Sequence, residues 1–568
     1  MKAPMRGGAS LEAMMAELEK IKFDVRGMTC SSCEGHVADA LKSVEGVQSV
    51  EIPGWESSEA EVIAEQGVDA EAFSEAVRSA GYSASIKARQ PVDGKAGTNG
   101  KGDGRFDLMV IGGGSGGFAA AIKGAELGFK VGLVEAAEIG GTCVNIGCVP
   151  SKTLIRSVEL SHLAGQTRFK GIDTSQGPID WPQVIDHKDE LVRGLRKAKY
   201  SDVLEAYPEI TYIQGKATLL GGNSLEVDGE PYAPGKIILA TGASPWAPPI
   251  PGLAEAGYLD STAALDLKEI PQSMIVLGAN AVGLEIAQIY SRAGSEVTIL
   301  ELLPRIAPFE DEEISSALTD YLEDEGLRIV TGFQTASVEK ADGSYLLRGS
   351  QEESELTFEA QALLVATGRR PNTAGLGLEE AGVKLGRRGE ILVDEHLATD
   401  NPDVYAVGDI LGRDMFVYVA AYDGILAAEN ALSQAGRVYD AEYIARITFT
   451  DPQVASAGLT EAQAREKGYE VKVSRLGMEH VPRALAARDT RGLIKLVADA
   501  STDRLLGAHI LAPEAGEMIQ TAVIVIRFGI TVSEMRGTMF PYLTNAEGLK
   551  LAALAFDKDV AMLSCCAG

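Results

Sequence analysis

The sequence predicts an α/β protein: two doubly wound parallel-sheet domains, an α+β domain behind them, and a small ferredoxin-like βαββαβ domain in front. Three observations carry this. Two apolar strands each run into a glycine-rich turn, at Gly112 and at Gly278, and strands alternate with helices between about residues 105 and 440. The stretch from Lys87 to Arg105, KARQPVDGKAGTNGKGDGR, is almost free of large apolar residues and reads as a flexible tether. At 568 residues the chain exceeds what a single core organises.

Taken in order, Leu11 to Leu18 reads as a short amphipathic helix without the apolar core of a signal peptide. The front domain, residues 20–87, follows as strand Ile21–Val25, helix Cys33–Val44, strand Val47–Ile52, strand Ala60–Ala64, helix Ala70–Ala80 and strand Tyr82–Ile86. Val37, Leu41 and Val44 recur at helical spacing, as do Phe73 and Val77. A linker, 88–104, leads to the first doubly wound domain, assembled from 105–255 and 375–440, with the second inserted as 256–374. The last domain, 441–568, ends in a helix over Ala546–Lys558 and a short tail.

Lys and Arg number 52 against 81 Asp and Glu, a formal charge of −29, which repels phosphate backbones and argues against nucleic acid as a partner. No run is long and apolar enough to span a bilayer; Thr521 to Ile526 is stopped by Arg527. Six cysteines in a chain this long make no secreted disulfide framework, and a cytoplasmic protein with reduced thiols is expected.

Gly112, Gly114 and Gly117 have the GxGxxG spacing directly after the strand Phe106–Ile111, and Glu135 closes the next strand, Val131–Val134. Glycines there allow a tight turn and close approach of backbone to a pyrophosphate, while the acid accepts bonds from ribose hydroxyls. A second copy runs through Gly278, Asn280 and Gly283, with Glu301 after the strand Val297–Leu300. Asn280 replaces the middle glycine, and asparagine tolerates a left-handed backbone better than most residues. Glu301 suits the 2′-hydroxyl of NADH and repels the 2′-phosphate of NADPH, although Arg305 lies close enough to blunt that preference. Two such folds suggest FAD in the first and NADPH or NADH in the second.

The cysteines fall in pairs: Cys30 with Cys33, Cys143 with Cys148, and Cys565 with Cys566. Cys143 and Cys148 follow the first nucleotide fold at an expected helix start, where thiol pKa values fall. The segment GGTCVNIGCVPSK, with Ala240-Thr241-Gly242, Ala366-Thr367-Gly368-Arg369 and Tyr405-Ala406-Val407-Gly408-Asp409, resembles the pyridine nucleotide–disulfide oxidoreductases over residues 105 to 568. The resemblance implies that Asp409 contacts the flavin ribityl chain, and that Thr142, Thr241 and Gly242 belong to the cofactor site. It implies that Lys152 pairs with Glu285 beside the flavin, and that Cys148 faces the flavin while Cys143 exchanges with substrate. It also implies a homodimer whose active sites lie at the subunit interface.

Disulfide reductases of that family carry a histidine where this chain has Tyr542, five residues before Glu547. Protonating a leaving thiolate suits an imidazole, not a phenol of pKa about 10, so the substrate is not expected to be a disulfide. Adjacent Cys565 and Cys566 hold their Cα atoms about 3.8 Å apart, below the usual disulfide span, and two thiolates on a tail suit a soft metal ion. Gly27-Met28-Thr29-Cys30-Ser31-Ser32-Cys33 is similar to the metal-binding loop of heavy-metal-associated domains. Together these parts resemble the Hg(II)-reducing members of the family. That resemblance implies passage of Hg(II), delivered as a thiol complex, from Cys30 and Cys33 to Cys565 and Cys566 and then to Cys143 and Cys148, with Tyr200 and Tyr542 beside the metal. Two alternatives are a dihydrolipoamide dehydrogenase-like enzyme with an added metal domain, and a metal-buffering protein whose flavin fold keeps its thiols reduced. His162, His187, His396, His480 and His509 show no ligand spacing, and His36 on the first helix reads as structural.

Overall fold

A computed structural model describes residues 18–26, 28, 31–44, 46–52, 59–65, 68, 70–91, 106–433, 435–440, 443–559 and 562. The chain divides into two compact units, Met1–Gly104 and Arg105–Gly568.

The first unit contains β1 (Leu18–Arg26), α1 (Ser31–Lys42), β2 (Val47–Glu51), β3 (Glu59–Glu65), α2 (Ala70–Ser79) and β4 (Ser83–Pro91). Its antiparallel sheet has the order β2-β3-β1-β4, the expected ferredoxin-like arrangement. Ile21, Phe23 and Val25 alternate inward from β1 to meet Val37 and Leu41 of α1 and Phe73 and Val77 of α2, all fully buried. Phe23 and Phe73 lie 5.2 Å apart, and burying each ring contributes about 2–3 kcal/mol. Two expectations change here. β4 pairs with β1 as far as Glu19↔Pro91, so the segment expected to be a tether from Lys87 begins as strand; β1's unpaired backbone recruits it despite its polar side chains. Leu18, expected to close a helix, opens β1, and residues 11–17 lie outside the described residues.

The second unit holds two parallel sheets. In the first, β5 (Leu108–Ile111) and β6 (Val131–Glu135) are joined by α3 (Ser115–Glu126) and flanked by Ile210–Gln214, Lys236–Leu239 and Val404–Ala406. The last strand arrives almost 170 residues after its neighbour, pairing Ile237↔Val404 in parallel, as a discontinuous domain requires. Its strands other than the edge strand Ile210–Gln214 are buried on both faces, which explains their apolar runs. The second parallel sheet orders Arg328–Val330, Glu296–Leu300, Ser273–Leu277 and Ala362–Val365.

A five-stranded antiparallel sheet, Arg446–Thr448, Gln453–Gly458, Leu505–Ala512, Leu493–Asp499 and Val471–Gly477, forms the third domain. The helix Ala515–Arg527 covers it, and Glu547–Leu554 is the helix at the end, shorter than the expected Ala546–Lys558. Lys495, 4% exposed in its side chain, ties this sheet to the domain of the second parallel sheet through Asp311 at 3.0 Å and Glu313 at 2.7 Å.

Candidate active site

The two glycine turns are built alike. A Cβ on Gly112 would stand 2.3 Å from the Ala240 carbonyl oxygen, and one on Gly117 only 1.8 Å from that of Gly112. At the second turn a Cβ on Gly278 would meet the Ala366 oxygen at 2.6 Å, and one on Gly283 the Gly278 oxygen at 2.0 Å. The quoted Ala-Thr-Gly segments are therefore the walls against which each turn is pressed. Gly114 and Asn280 stand at the helix N-caps with extended backbones, φ −77° and −101°, and neither helix has a side-chain cap or an acid in its first turn. Asn280 thus has no need of the left-handed conformation expected for it; the position asks only for free amides at a helix start. Those amides and the helix dipole fit a pyrophosphate.

Glu135 accepts from the Gly113 amide at 2.6 Å and the Ala137 amide at 2.7 Å, which fixes its carboxylate at the end of β6. The residues present therefore fit a dinucleotide such as FAD. Thr241 and Asn372 latch each other across this domain, Oγ1 to carbonyl and Nδ2 to carbonyl, each at 2.8 Å. Asp409 follows the strand Val404–Ala406, and burial pushes its carboxyl up against the opposing charge of Arg369, 3.9 Å away. Gly117→Ala is expected to leave purified protein with less than about a tenth of its wild-type flavin, read from the absorbance ratio; a Cβ that close to backbone oxygen must move the turn.

The thiol pair sits where the chain turns out of this fold. Cys143 lies in the short helix α4 (Gly141–Asn145), and Cys148 is the first residue of α5 (Cys148–Ala164). Gly140 and Gly141, at φ 104° and 61°, make the turn that brings α4 against Gly114, since a Cβ on Gly141 would lie 2.5 Å from Gly114 Cα. Hydrogen bonding from Cys143 first, and then the charge of Lys152, hold the Cys148 thiol down to about 7 against its burial. The same hydrogen bond, reinforced by burial, pushes Cys143 well above the ordinary thiol range. In the reduced pair Cys148 is thus the more acidic sulfur and Cys143 the less acidic one.

One turn along α5, Lys152 donates to Glu285 at 2.7 Å, the pairing the resemblance implies. Glu285 is buried, and its second oxygen accepts the Phe449 amide at 2.9 Å, while the Phe449 ring lies 4.5 Å beneath the Lys152 ammonium. Sequence reasoning missed Phe449 because no motif surrounds it. Tyr200, in a π-helical turn, packs its half-buried ring 4.7 Å from Phe118. Burial first, and then the charge of Cys143 and Cys148, raise its phenol above the ordinary value.

Tyr542 is 49% exposed on the third domain, and Glu547, which would complete a His–Glu dyad, accepts the Leu543 amide at 3.2 Å instead. Cys33 is buried in the first turn of α1, whereas Cys30, Cys565 and Cys566 lie outside the described residues. Among the described residues no helix is long and apolar enough to cross a membrane.

The sequence pattern of the pyridine nucleotide-disulphide oxidoreductases matches residues 106–435, that of their dimerisation domain 444–553, and that of the heavy-metal-associated domain 22–83. A mercuric reductase of Staphylococcus aureus is 44% identical over 548 residues, covering 96% of this chain and 99% of its own. One from Streptomyces lividans is 45% identical over 469 residues, 82% of this chain and 98% of its own. Among solved structures, a Cu(II) complex of the HOCl-induced flavoprotein disulfide reductase RclA from Escherichia coli is 32% identical, with a TM-score of 0.71, and covers 79% of this chain and 99% of its own. By its matched domains and by identity along nearly its whole length, the chain belongs to the pyridine nucleotide–disulphide oxidoreductase family, among the mercuric reductases.

Proposed function

We propose that the chain reduces Hg(II), presented as a dithiolate, to Hg(0) at the expense of NAD(P)H. The balanced reaction is Hg(SR)₂ + NAD(P)H + H⁺ → Hg(0) + NAD(P)⁺ + 2 RSH. The observation that carries it is a thiol pair with one acidified sulfur beside Lys152, which is paired to the buried Glu285, in a chain whose Tyr542 stands where a disulfide reductase needs an imidazole. FAD, held by the Gly112 turn, Glu135 and Asp409, supplies when bound the two-electron connection between nicotinamide and metal.

The chain's own residues handle the ion. Thiolates are the ligands of soft metals, and each transfer exchanges one sulfur for another, so Hg(II) is never released free. Cys30 and Cys33 collect it, Cys565 and Cys566 pass it inward, and Cys143 and Cys148 hold it for reduction. Binding at the last pair displaces the proton that Cys143 retains, and the Lys152 charge favours the resulting thiolates. Tyr200 lies within reach of that charge, and its phenol offers a hydrogen bond to a thiolate.

The third domain is a dimerisation domain by its sequence pattern. The exposed Tyr542 and its neighbour Leu543, 49% and 45% exposed, are the surface through which one subunit would complete the other's Cys143–Cys148 site. A cytoplasmic location agrees with thiols that must stay reduced to work. The test is NAD(P)H oxidation by flavin-loaded protein in excess thiol, with and without Hg(II), while trapping mercury vapour. Stoichiometric Hg(0) supports the reading. Brisk reduction of lipoamide or glutathione disulfide without Hg(II)-dependent turnover would sink it.

A further inference from the structure

Cofactor choice is decided at the end of the second strand of the second nucleotide fold, where the sequence leaves two opposed side chains, Glu301 and Arg305. The structure separates their roles. Glu301 accepts from the Ala279 amide at 2.6 Å and the Leu303 amide at 2.8 Å, and the residue is 8% exposed. This repeats the first fold: Glu135 and Glu301 each take the amide 22 residues back and the amide two residues on. A carboxylate pinned at both oxygens keeps lone pairs for ribose hydroxyls but cannot swing away from a phosphate.

Arg305 is turned elsewhere. Its guanidinium donates to the carbonyl oxygens of Pro308 and Glu310, both at 2.8 Å, closing its own loop. It is the sole cation between Glu301 and Asp311 in the sequence. Leu302 and Leu303, 64% and 42% exposed, supply apolar flanks and no phosphate ligand. A 2′-phosphate placed here would meet a fixed carboxylate, and the one arginine of this segment is already engaged.

We infer that this chain takes NADH in preference to NADPH, with Glu301 the discriminating side chain and Arg305 withheld from phosphate recognition. The inference rests on the reading above that a nicotinamide dinucleotide is the electron donor.

The experiment measures dissociation constants of NAD⁺ and NADP⁺ on the holoenzyme by calorimetry, beside kcat/KM for NADH and NADPH with Hg(II). NAD⁺ is expected to bind at least about 30-fold more tightly, with a similar ratio in kcat/KM, because a site shaped for a hydroxyl rejects the group that replaces it. Glu301→Ser is expected to narrow the ratio about tenfold, chiefly by tightening NADP⁺. Arg305→Leu is expected to keep the wild-type ratio within about twofold, and this variant tests the assignment even where loss of Glu301 unfolds the loop. Equal or tighter binding of NADP⁺, or selective loss of NADP⁺ in Arg305→Leu, overturns the inference. Binding of neither dinucleotide overturns the parent reading and the inference with it.

Discussion

Cys148→Ala is expected to lower Hg(II)-dependent NAD(P)H oxidation by about a thousandfold or more, because it removes the sulfur that is a thiolate at neutral pH. Its partner cannot substitute, since a single remaining sulfur cannot hold Hg(II) as a dithiolate for reduction. The two single variants differ in a way that tests the assignment. Cys143→Ala deletes the largest influence holding Cys148 down, so the Cys148 thiol rises toward its ordinary value. Cys148→Ala deletes the largest influence holding Cys143 up, so the Cys143 thiol falls. Alkylation of the reduced enzyme reads both. In the wild type the reactive thiolate is present above about pH 7 and is lost as pH falls through that value. In Cys143→Ala the midpoint moves to higher pH. A Cys148→Ala enzyme within tenfold of wild-type turnover would refute the role given to this sulfur.

The same pair shows what was readable beforehand. A GxGxxG after a strand, an acid after the next strand, and two cysteines after that are local in sequence, so the fold and the thiol site could be read from spacing alone. The front domain was equally legible, because Ile21, Phe23 and Val25 alternate as a half-buried strand must. What spacing could not supply is contact between distant segments. Phe449 meets Lys152 and Glu285 across about 300 and 164 residues of chain, respectively, and no periodicity records that. Arg305 shows the complementary limit: proximity in sequence suggested a phosphate ligand, whereas two carbonyl oxygens had already engaged it. The extension of β4 beyond Ile86 to Pro91 was missed because its partner in β1 supplies the reason for it, not its own composition.

Arg292→Met is expected to cost about 3–5 kcal/mol of stability, the loss typical of removing one partner from a buried ion network. The helix Ala281–Ala293 turns one face toward residues 449–451, presenting Glu285, Gln288 and Arg292 at helical spacing. Glu285 takes the Phe449 amide, Gln288 accepts the Asp451 amide at 2.8 Å and donates to its carbonyl at 2.9 Å, and Arg292 donates to the Asp451 carboxylate at 2.8 Å. Arg292 is 3% exposed in its side chain and also holds Glu325 at 2.6 Å. Without it, the Glu325 and Asp451 carboxylates, 11% and 12% exposed in their side chains, share Arg491, which already serves Asp489 at 2.7 Å. If the penalty is an uncompensated charge, adding Glu325→Met should recover at least about half of it, since well-packed apolar replacement of a buried pair is nearly neutral. If the penalty is lost packing, the second change adds to the first. Urea unfolding of the holoenzyme, followed by flavin and tyrosine fluorescence, distinguishes these outcomes. A cost below about 1 kcal/mol for Arg292→Met would show the network to be ornamental. Because this face ends at the Glu285–Lys152 pair, its loosening should reach the flavin signal before the rest of the fold.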